Sequence, residues 1–476
     1  MPKKLPLALA VLLLAISSAS VAQTIQRLSH QPPDGAGIGF LLTDGTVMYQ
    51  GNAESDWYKL TPDITGSYVH GTWTRLANLP AGYVPDAFAS AVLADGRVVI
   101  TGGEYLNGAF TLTNLGAIYD PKANTWTNLP APTGWQYIGD SPSAVLPNGF
   151  YLVGNKLTKS MAALNPKTLK WTVLAGAGKS DFNAEEGWTL LPDGSILTMD
   201  VKNAPNSERF VMKTKGWTTA GSTIVDLHSP SPFGCINYGP NGSLCYYPPG
   251  EIGPAILRPD GTVFATGSYT STGSGAGHTA IYDTATATWT VGPDFPNGDN
   301  AGDSFAALLP SGNVLVEGGV TSYEWDGLSL NPTLPTPGSL LVLPTGQVLV
   351  GGSEVYNPTG TYQAAWAPTI TSVSSAVTRG TTYKISGTQF NGLSQAAAFG
   401  DEFETATNYP LVRITNTSTG HVFYAKTHDH STMGVATGSA IVSTNFDVPA
   451  TMETGASTLE VVANGIPSTP VNITVN

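Results

Sequence analysis

A short turn that recurs seven times between residues 44 and 346 constrains the fold of this 476-residue chain more than any other feature. In each copy, two residues ending in glycine separate two apolar runs. Asp-Gly supplies the positive φ angles of a two-residue hairpin turn, so each copy predicts a pair of antiparallel strands. The seven turns are Asp44-Gly45, Asp95-Gly96, Asn148-Gly149, Asp193-Gly194, Asp260-Gly261, Ser311-Gly312 and Thr345-Gly346.

The stretch Phe88–Trp126 shows what surrounds one turn. A second apolar run ends in a glycine pair, a third ends at Asp120-Pro121, and a fourth carries Trp126, which together predict one four-stranded antiparallel blade. Such a sheet has two apolar faces and needs copies of itself to bury them. In several copies an apolar residue stands seven positions before a tryptophan, which predicts a packing role between blades for Trp126, Trp171, Trp217 and Trp289.

The turns lie about 50 residues apart on average, which is the kelch period. On these motifs residues 30–366 resemble the kelch β-propeller family, and seven turns imply seven blades. Only three strands are clear in the last blade, so we predict that Thr24–Leu28 supplies the fourth. The predicted fold is all-β, with a seven-bladed kelch-type β-propeller over residues 23–366 followed by an immunoglobulin-like β-sandwich over residues 367–476.

The first 22 residues predict a secretion signal. Lys3-Lys4 precedes the apolar run Leu5–Ile16, which is shorter than the ~20 residues that span a bilayer. Small residues at Ser20 and Ala22 place cleavage before Gln23; an uncleaved anchor is the alternative. We therefore expect a secreted or periplasmic monomer. The formal net charge of −13 argues against nucleic acid as a partner, and no other stretch is apolar enough for a membrane span.

Two cysteines, Cys235 and Cys245, lie in the Pro/Gly/Asn-rich insertion Ser229–Gly250 between the fourth and fifth blades. In an oxidising compartment this pair predicts a disulfide that closes the loop. The chain-entropy account gives a stabilisation of about 2–3 kcal/mol for so short a loop. The alternative is a pair of free thiols at a catalytic centre.

A carboxylate precedes six of the seven predicted inner strands. If the blades are in phase, these side chains surround one end of the central channel, where like charges raise each other's pKa unless a cation compensates. This predicts an acidic funnel for Ca²⁺, a cationic ligand or a hydroxyl-rich extracellular ligand such as a carbohydrate. In the alternative, each acid caps its own loop. The candidates are Asp34, Asp86, Asp140, Glu185 or Glu186, Glu251 and Asp303.

Aromatic residues lie near these acids in sequence. Trp135 and Tyr137 immediately precede Asp140, and Trp188 follows Glu185 and Glu186. Aromatic faces beside carboxylates suit the binding of sugars, so these three residues are candidate ligand contacts. Packing within the loops is the alternative.

Short alternating strands predict the sandwich beyond Pro368. A kelch propeller followed by such a domain resembles the galactose oxidase and glyoxal oxidase group of copper-radical enzymes. The matching stretches are Gly387–Leu393, Ala406–Pro410 and Val462–Ser468. The resemblance implies that a histidine of the C-terminal domain reaches copper through the propeller. His428, in the sequence His428-Asp429-His430, is the residue that resembles it.

The rest of the copper set that this resemblance implies is missing. Those oxidases have a cysteine cross-linked to a tyrosine, a second tyrosine and a Tyr-His pair, but the chain contains no Tyr-His dipeptide. In the fifth blade, Glu251-Ile252 occupies the position before the inner strand where those oxidases have the cross-linking cysteine. His428 and His430 alone do not make a metal site, so copper is not expected. The sequence therefore favours a binding module, with a carboxylate-based carbohydrate-active enzyme or a diverged copper oxidase as the alternative.

Overall fold

Residues 24–357 of the computed structural model form seven antiparallel blades, to each of which they contribute four strands. The structure describes residues 23–231, 234–238, 242–270 and 275–476; the predicted signal peptide lies outside these ranges. From the channel outward, blade 1 is Gly39–Leu41, Val47–Gln50, Trp57–Thr61 and Thr72–Arg75; blade 2 is Ala89–Val92, Val98–Thr101, Gly116–Asp120 and Thr125–Asn128; blade 3 is Ser143–Val145, Tyr151–Gly154, Met161–Asn165 and Lys170–Leu174.

The remaining blades continue the ring in chain order. Blade 4 is Thr189–Leu190, Ile196–Met199, Asn206–Val211 and Gly216–Ser222; blade 5 is Ile252–Leu257, Thr262–Gly267, Thr279–Asp283 and Thr288–Val291; blade 6 is Ala306–Leu308, Val314–Gly318, Thr321–Trp325 and Leu330–Pro332; blade 7 is Leu340–Val342, Val348–Val350, Glu354–Asn357 and Thr24–Arg27. The fold is thus the predicted seven-bladed kelch-type propeller.

Blade 7 is built from both ends of the propeller sequence. Thr24–Arg27 pairs antiparallel with Glu354–Asn357, with Thr24 opposite Asn357 and Arg27 opposite Glu354. This confirms the predicted fourth strand. Hydrogen bonds of a sheet therefore join residues that are more than three hundred positions apart, and they close the ring of blades.

The seven recurrent turns differ in type from the prediction. In blade 1 the Leu42 N–H bonds to the Thr46 carbonyl and the Gly45 N–H to the Leu42 carbonyl, which leaves three residues in the turn. Gly45 has a φ of 75°, whereas Asp44 is not among the residues with positive φ. This is a type I turn followed by a glycine bulge, so the two-residue prediction was wrong. The aspartate instead caps the turn, since its Oδ1 accepts the Thr46 N–H at 3.1 Å.

The repeated tryptophans pack between blades, as predicted. Trp126 lies opposite Tyr119 on the neighbouring strand, and its ring is 5.4 Å from that of Trp57 in blade 1. Its indole Nε1–H donates to the Ala77 carbonyl at 3.1 Å, just beyond the outer strand of blade 1. A half-buried apolar ring with a satisfied N–H is the role that favours tryptophan at such a position.

The C-terminal immunoglobulin-like domain packs on the turn side of the propeller. Its strands are Thr369–Ser372, Ala376–Val377, Thr382–Thr388, Leu411–Asn416, Val422–His428, Val442–Asp447, Gly455–Ala463, Ile466–Pro467 and Val471–Val475. The Thr427 N–H donates to the Thr43 carbonyl at 3.0 Å, and the Tyr424 ring covers the turn glycine of blade 1.

Several small elements complete the described structure. Pro85–Asp86, Tyr105–Leu106 and Ala109–Phe110 form one small sheet, and Ile236–Tyr238 pairs with Leu244–Tyr246. Ala397–Ala398 adds a strand to the channel edge of blade 6. Single 3-10 turns lie at Pro296–Gly298 and Ala364–Trp366. No helix in the described part of the chain is long and apolar enough to span a membrane.

A chain that begins at Gln31 lacks the closing strand and tests the contribution of Thr24–Arg27. We expect a lower free energy of unfolding than for a chain beginning at Gln23, because each ladder hydrogen bond contributes roughly 0.5–1.5 kcal/mol. Urea unfolding of the two chains measures the difference, and a synthetic peptide of residues 23–30 should restore stability. Identical unfolding midpoints would show that ring closure does not depend on this strand.

Candidate functional site

A buried lysine lies at the centre of the channel end opposite the turns. Lys156 follows the second strand of blade 3 and is fully buried. Its Nζ binds the carboxylate of Asp140 and lies 2.7 Å from Oε1 of Glu185. Burial alone would lower the pKa of Lys156, but these two carboxylates raise it well above its ordinary value. The ammonium group therefore stays charged and neutralises part of the acid around it.

Two further carboxylates come from the C-terminal domain. The segment 396–405 runs into the channel, where Ala397–Ala398 pairs with blade 6 and the Glu404 carbonyl accepts the Ser90 hydroxyl of blade 2 at 3.2 Å. It carries the buried residues Asp401 and Glu402. Carboxylate oxygens of Asp140, Glu185 and Asp401 lie within 4.8 Å of one another. We call Lys156, Asp140, Glu185, Asp401 and Glu402 the central cluster.

Glu251 and Asp303, which we call the rim pair, stand beside the central cluster. Burial, followed by the charges of Glu185 and Asp303, raises the pKa of Glu251 to about 9. Burial and the charge of Glu185 raise the pKa of Asp303 to about 6, although a hydrogen bond with Glu251 lowers it. Asp303 nevertheless keeps an exposed surface. At neutral pH the rim pair therefore shares one proton and presents one negative charge to solvent.

The acids of blades 3 to 6 thus converge, but those of blades 1 and 2 do not. Oδ2 of Asp34 accepts the Ala53 N–H at 3.3 Å within its own loop. Asp86 is exposed and accepts the N–H of Ala87, because the small sheet that contains Pro85–Asp86 pairs this segment with Tyr105–Leu106 instead of directing it to the axis. For these two acids the capping alternative holds, and their assignment to the funnel was wrong.

Of the three aromatic candidates, Trp188 is misassigned. It is buried, and its ring lies 6.0 Å from Trp217 in the core between strands. Trp135 and Tyr137 are half-buried in the loop that leads to Asp140, and their carbonyls accept amide N–H groups at 2.8 Å. They remain candidate ligand contacts.

The insertion between blades 4 and 5 supplies an aromatic residue that the sequence did not single out. Cys235 and Cys245 form the predicted disulfide, with an S–S distance of 2.04 Å. The bond joins Cys235, which directly precedes the strand Ile236–Tyr238, to Cys245 in the partner strand Leu244–Tyr246. The Tyr246 hydroxyl donates to Oε1 of Glu185 at 3.2 Å, and its ring centre lies 5.6 Å from the Lys156 ammonium. The disulfide loop therefore contributes to the central cluster.

The two histidines suggested as metal ligands lie elsewhere. The His428 imidazole lies 2.8 Å from the Asp429 carboxylate and 3.2 Å from that of Asp447. The backbone N–H of His430 donates to the Ala94 carbonyl at the turn of blade 2. Burial lowers the pKa of His430 to about 3, so its imidazole is neutral. His428 does not reach through the propeller as the resemblance implied; the segment that enters the channel carries Asp401 and Glu402 instead.

The donors at the central cluster do not fit the copper centre that the resemblance implies. They are carboxylates, one lysine and one tyrosine, whereas copper favours imidazole and thiolate ligands. Within the described ranges, the groups of three convergent metal-binding side chains consist of carboxylates alone. In the central cluster the Lys156 ammonium already lies between two of those carboxylates.

Comparisons with known proteins agree with the fold. No family model matches the chain. Kelch-like protein terF of Aspergillus terreus is 25% identical over 298 residues, which are 58% of this chain and 58% of that protein. A galactose oxidase of Gibberella zeae is 24% identical over 241 residues, 47% of this chain and 32% of the enzyme. A copper-bound fungal alcohol oxidase of the AA5 family covers 95% of this chain, at 15% identity and a TM-score of 0.48, and 98% of its own chain aligns.

The fold and these relatives define the class: the chain is a β-propeller protein of the kelch and galactose oxidase-like type. It spans 58% of the kelch-like relative and 32% of the galactose oxidase. What those proteins do is therefore not carried over with the fold.

Replacing the central cation tests its role. In Lys156→Met, the buried carboxylates lose their partner, and we expect the free energy of unfolding at pH 8 to fall by roughly 3–5 kcal/mol. The loss should be smaller at pH 5, because protonation removes the unpaired charge. Urea unfolding at the two pH values measures it, with exposed Lys167→Met as the control. Equal losses at both pH values would contradict the charge-balancing role.

The rim pair predicts a pH dependence of stability. Since the pKa of Glu251 is raised from 4.5 to about 9, its stabilising effect is complete below pH 4.5 and is lost as the pH rises towards 9. The wild-type protein should lose more stability between pH 5 and pH 9 than Glu251→Gln does. Denaturant titrations across this range check the slope, and Asp86→Asn should behave like the wild type. An equal or steeper slope in Glu251→Gln would refute the raised pKa.

Proposed function

We propose that the protein is an exported binding protein whose rim pair and central cluster hold a hydroxyl-rich, positively charged extracellular ligand. The observation that carries this proposal is the excess of acid: seven carboxyl groups, of which the rim pair shares one proton, lie around the ammonium of Lys156. They are Glu104, Asp140, Glu185, Glu251, Asp303, Asp401 and Glu402. A region with one sign of charge attracts the opposite sign, and carboxylates accept hydrogen bonds from hydroxyl and ammonium groups alike.

An amino sugar combines the two properties and is the ligand class we favour. The exposed Asp303 offers an accessible carboxylate, and Trp135 and Tyr137, half-buried in the loop that leads to Asp140, are the aromatic candidates for contact with a sugar face. Export is supported by the basic and apolar residues of the N-terminus and by the Cys235–Cys245 disulfide, which suits an oxidising compartment.

Binding to glucosamine oligomers, compared with their N-acetylated equivalents, tests this proposal. We expect the charged oligomers to bind more tightly and their affinity to fall with added salt. Asp303→Asn should weaken binding by about tenfold or more, since a hydrogen bond to a charged group contributes roughly 1.5–3 kcal/mol. Isothermal titration calorimetry measures the affinities, and Asp86→Asn is the matched control from an equivalent position in blade 2.

Different results would refute recognition by the rim pair and identify an oxidase. Equal affinity for charged and N-acetylated oligomers, or equal loss in Asp303→Asn and Asp86→Asn, would refute recognition by the rim pair. Stoichiometric copper in the purified protein together with peroxide release from a sugar alcohol would instead identify an oxidase.

One observation favours an enzyme as the second candidate. The hydrogen-bonded Glu251 and Asp303 have pKa values of about 9 and about 6, so one carboxyl is poised as an acid and the other as a base. Hydrogen-bonded carboxyls are closer together than the ~5–9.5 Å that separates the two catalytic carboxyls of most glycosidases. Proton transfer at a single site of the ligand, as in a lyase, fits this geometry better than glycosidic hydrolysis. Turnover of the bound sugar that Glu251→Gln abolishes without loss of affinity would support it.

A further inference from the structure

A second group of acids lies inside blade 4 and in the loop that precedes it. We call Lys179, Asp181, Glu186, Asp200 and Glu208 the blade 4 cluster. All five residues are buried, with at most 5% of their surface exposed. Glu186 directly follows Glu185, but the two side chains face different groups: Glu185 binds Lys156 in the central cluster and Glu186 binds Lys179.

The charges of the blade 4 cluster do not balance. Nζ of Lys179 lies 2.9 Å from Glu186, 3.2 Å from Asp181 and 3.3 Å from Glu208. Its single positive charge is therefore divided among three carboxylates, and Asp200 adds a fourth. Burying charge without a partner is unfavourable, so the cluster either keeps protons, since burial raises the pKa of Glu186 to about 8 and that of Asp200 to about 7, or takes up additional positive charge.

Asp200 shows where that charge is missing. Its Oδ2 accepts the Ser180 hydroxyl at 2.5 Å, but its Oδ1 is buried and has no hydrogen-bond partner. The residue is 1% exposed, so water does not satisfy this oxygen from the surface. The Asp200 carboxylate faces those of Asp181 and Glu208, and one oxygen from each lies within 4.8 Å of the others.

Backbone contacts hold the neighbouring carboxylates in place. Oδ2 of Asp181 accepts the Lys202 N–H at 3.0 Å, and Oε1 of Glu208 accepts the Ser180 N–H at 2.7 Å. The other oxygens, Oδ1 of Asp181 and Oε2 of Glu208, lie 3.2 and 3.3 Å from the Lys179 ammonium, which borders the space that the three carboxylates share. The arrangement is built on the second and third strands of blade 4 and the loop before it, which are rigid supports for a ligand set.

We propose that Asp181, Asp200 and Glu208 bind a structural Ca²⁺ ion. Oxygen atoms on one Ca²⁺ lie about 2.3–2.6 Å from it, so any two of them are at most about 5 Å apart, as the three carboxylates are. The absence of sulfur or imidazole donors from this cluster of five residues favours a hard ion, and the tolerance of Ca²⁺ for irregular geometry suits ligands from three different elements better than Mg²⁺ does.

The ion supports the central cluster indirectly. It holds the loop before blade 4 in place. In that loop, Glu185 belongs to the central cluster and Glu186 to the blade 4 cluster. None of the three ligands of the ion belongs to the central cluster or the rim pair. Ca²⁺ binding and ligand binding at the rim can therefore be tested separately.

Terbium luminescence provides a direct test, because Tb³⁺ replaces Ca²⁺ and is excited by a nearby tryptophan. The Trp217 ring centre lies 4.8 Å from the Lys179 ammonium and hence beside the proposed site. We expect chelator-treated full-length protein to show saturable Tb³⁺ emission on tryptophan excitation, which added Ca²⁺ displaces. Asp200→Asn should weaken the apparent Tb³⁺ affinity by about tenfold or more, while Asp303→Asn at the rim should leave it unchanged.

Thermal unfolding of the wild-type protein gives a second readout that needs no variant. Ca²⁺ added to the chelator-treated protein should raise the unfolding midpoint, and the increase should be absent in Asp200→Asn. No change in the wild-type midpoint, together with Tb³⁺ emission that Ca²⁺ does not displace, would overturn the proposal. So would an equal loss of Tb³⁺ binding in Asp303→Asn, since the ion would then lie at the rim.

Discussion

Every blade depends on burial of both its faces, and closure of the ring is what makes that burial complete. A four-stranded sheet on its own leaves two apolar faces in water. Here each face meets a neighbouring blade, and rings such as Trp126 against Trp57 fill the space between them. Thr24–Arg27 completes blade 7, so the last sheet joins the first part of the chain to residues 354–357. Once the ring is closed, the inner strands surround one axis, and side chains at their starts are brought to one end of it.

The same ring closure buries charged side chains in the channel. A channel lined by inner strands is a poor place for charge, yet the central cluster puts several carboxylates there. Three devices make the arrangement possible: the Lys156 ammonium neutralises Asp140 and Glu185, the Tyr246 hydroxyl donates a further hydrogen bond, and the rim pair shares a proton. Each lowers the free-energy cost of burying acid without removing the excess negative charge at the mouth.

The sequence predicted what local patterns specify. The turn glycines, the tryptophans between blades and the disulfide followed from short motifs, the closing strand followed from the missing fourth strand of blade 7, and the structure has each of them. The prediction was wrong for Asp34 and Asp86 because it assumed that the chain approaches every inner strand in the same way. At blade 2 the small sheet at Pro85–Asp86 directs the chain, and with it Asp86, away from the axis. Lys156, Asp401 and Tyr246 could not be found, because their roles arise from contacts across distant segments that no sequence period records. A lone lysine after an apolar strand, as at Lys156, was the one available signal.

The position of segment 396–405 bears on how the site relates to copper oxidases. The resemblance placed a C-terminal histidine in the channel, and the structure does place a C-terminal segment there, but with Asp401 and Glu402 on it. The route from the sandwich to the channel therefore exists while the donors differ. A carboxylate beside Lys156 can accept protons and hydrogen bonds but offers none of the nitrogen donors that copper favours. The side chains that the inserted segment carries therefore decide which donors the channel offers.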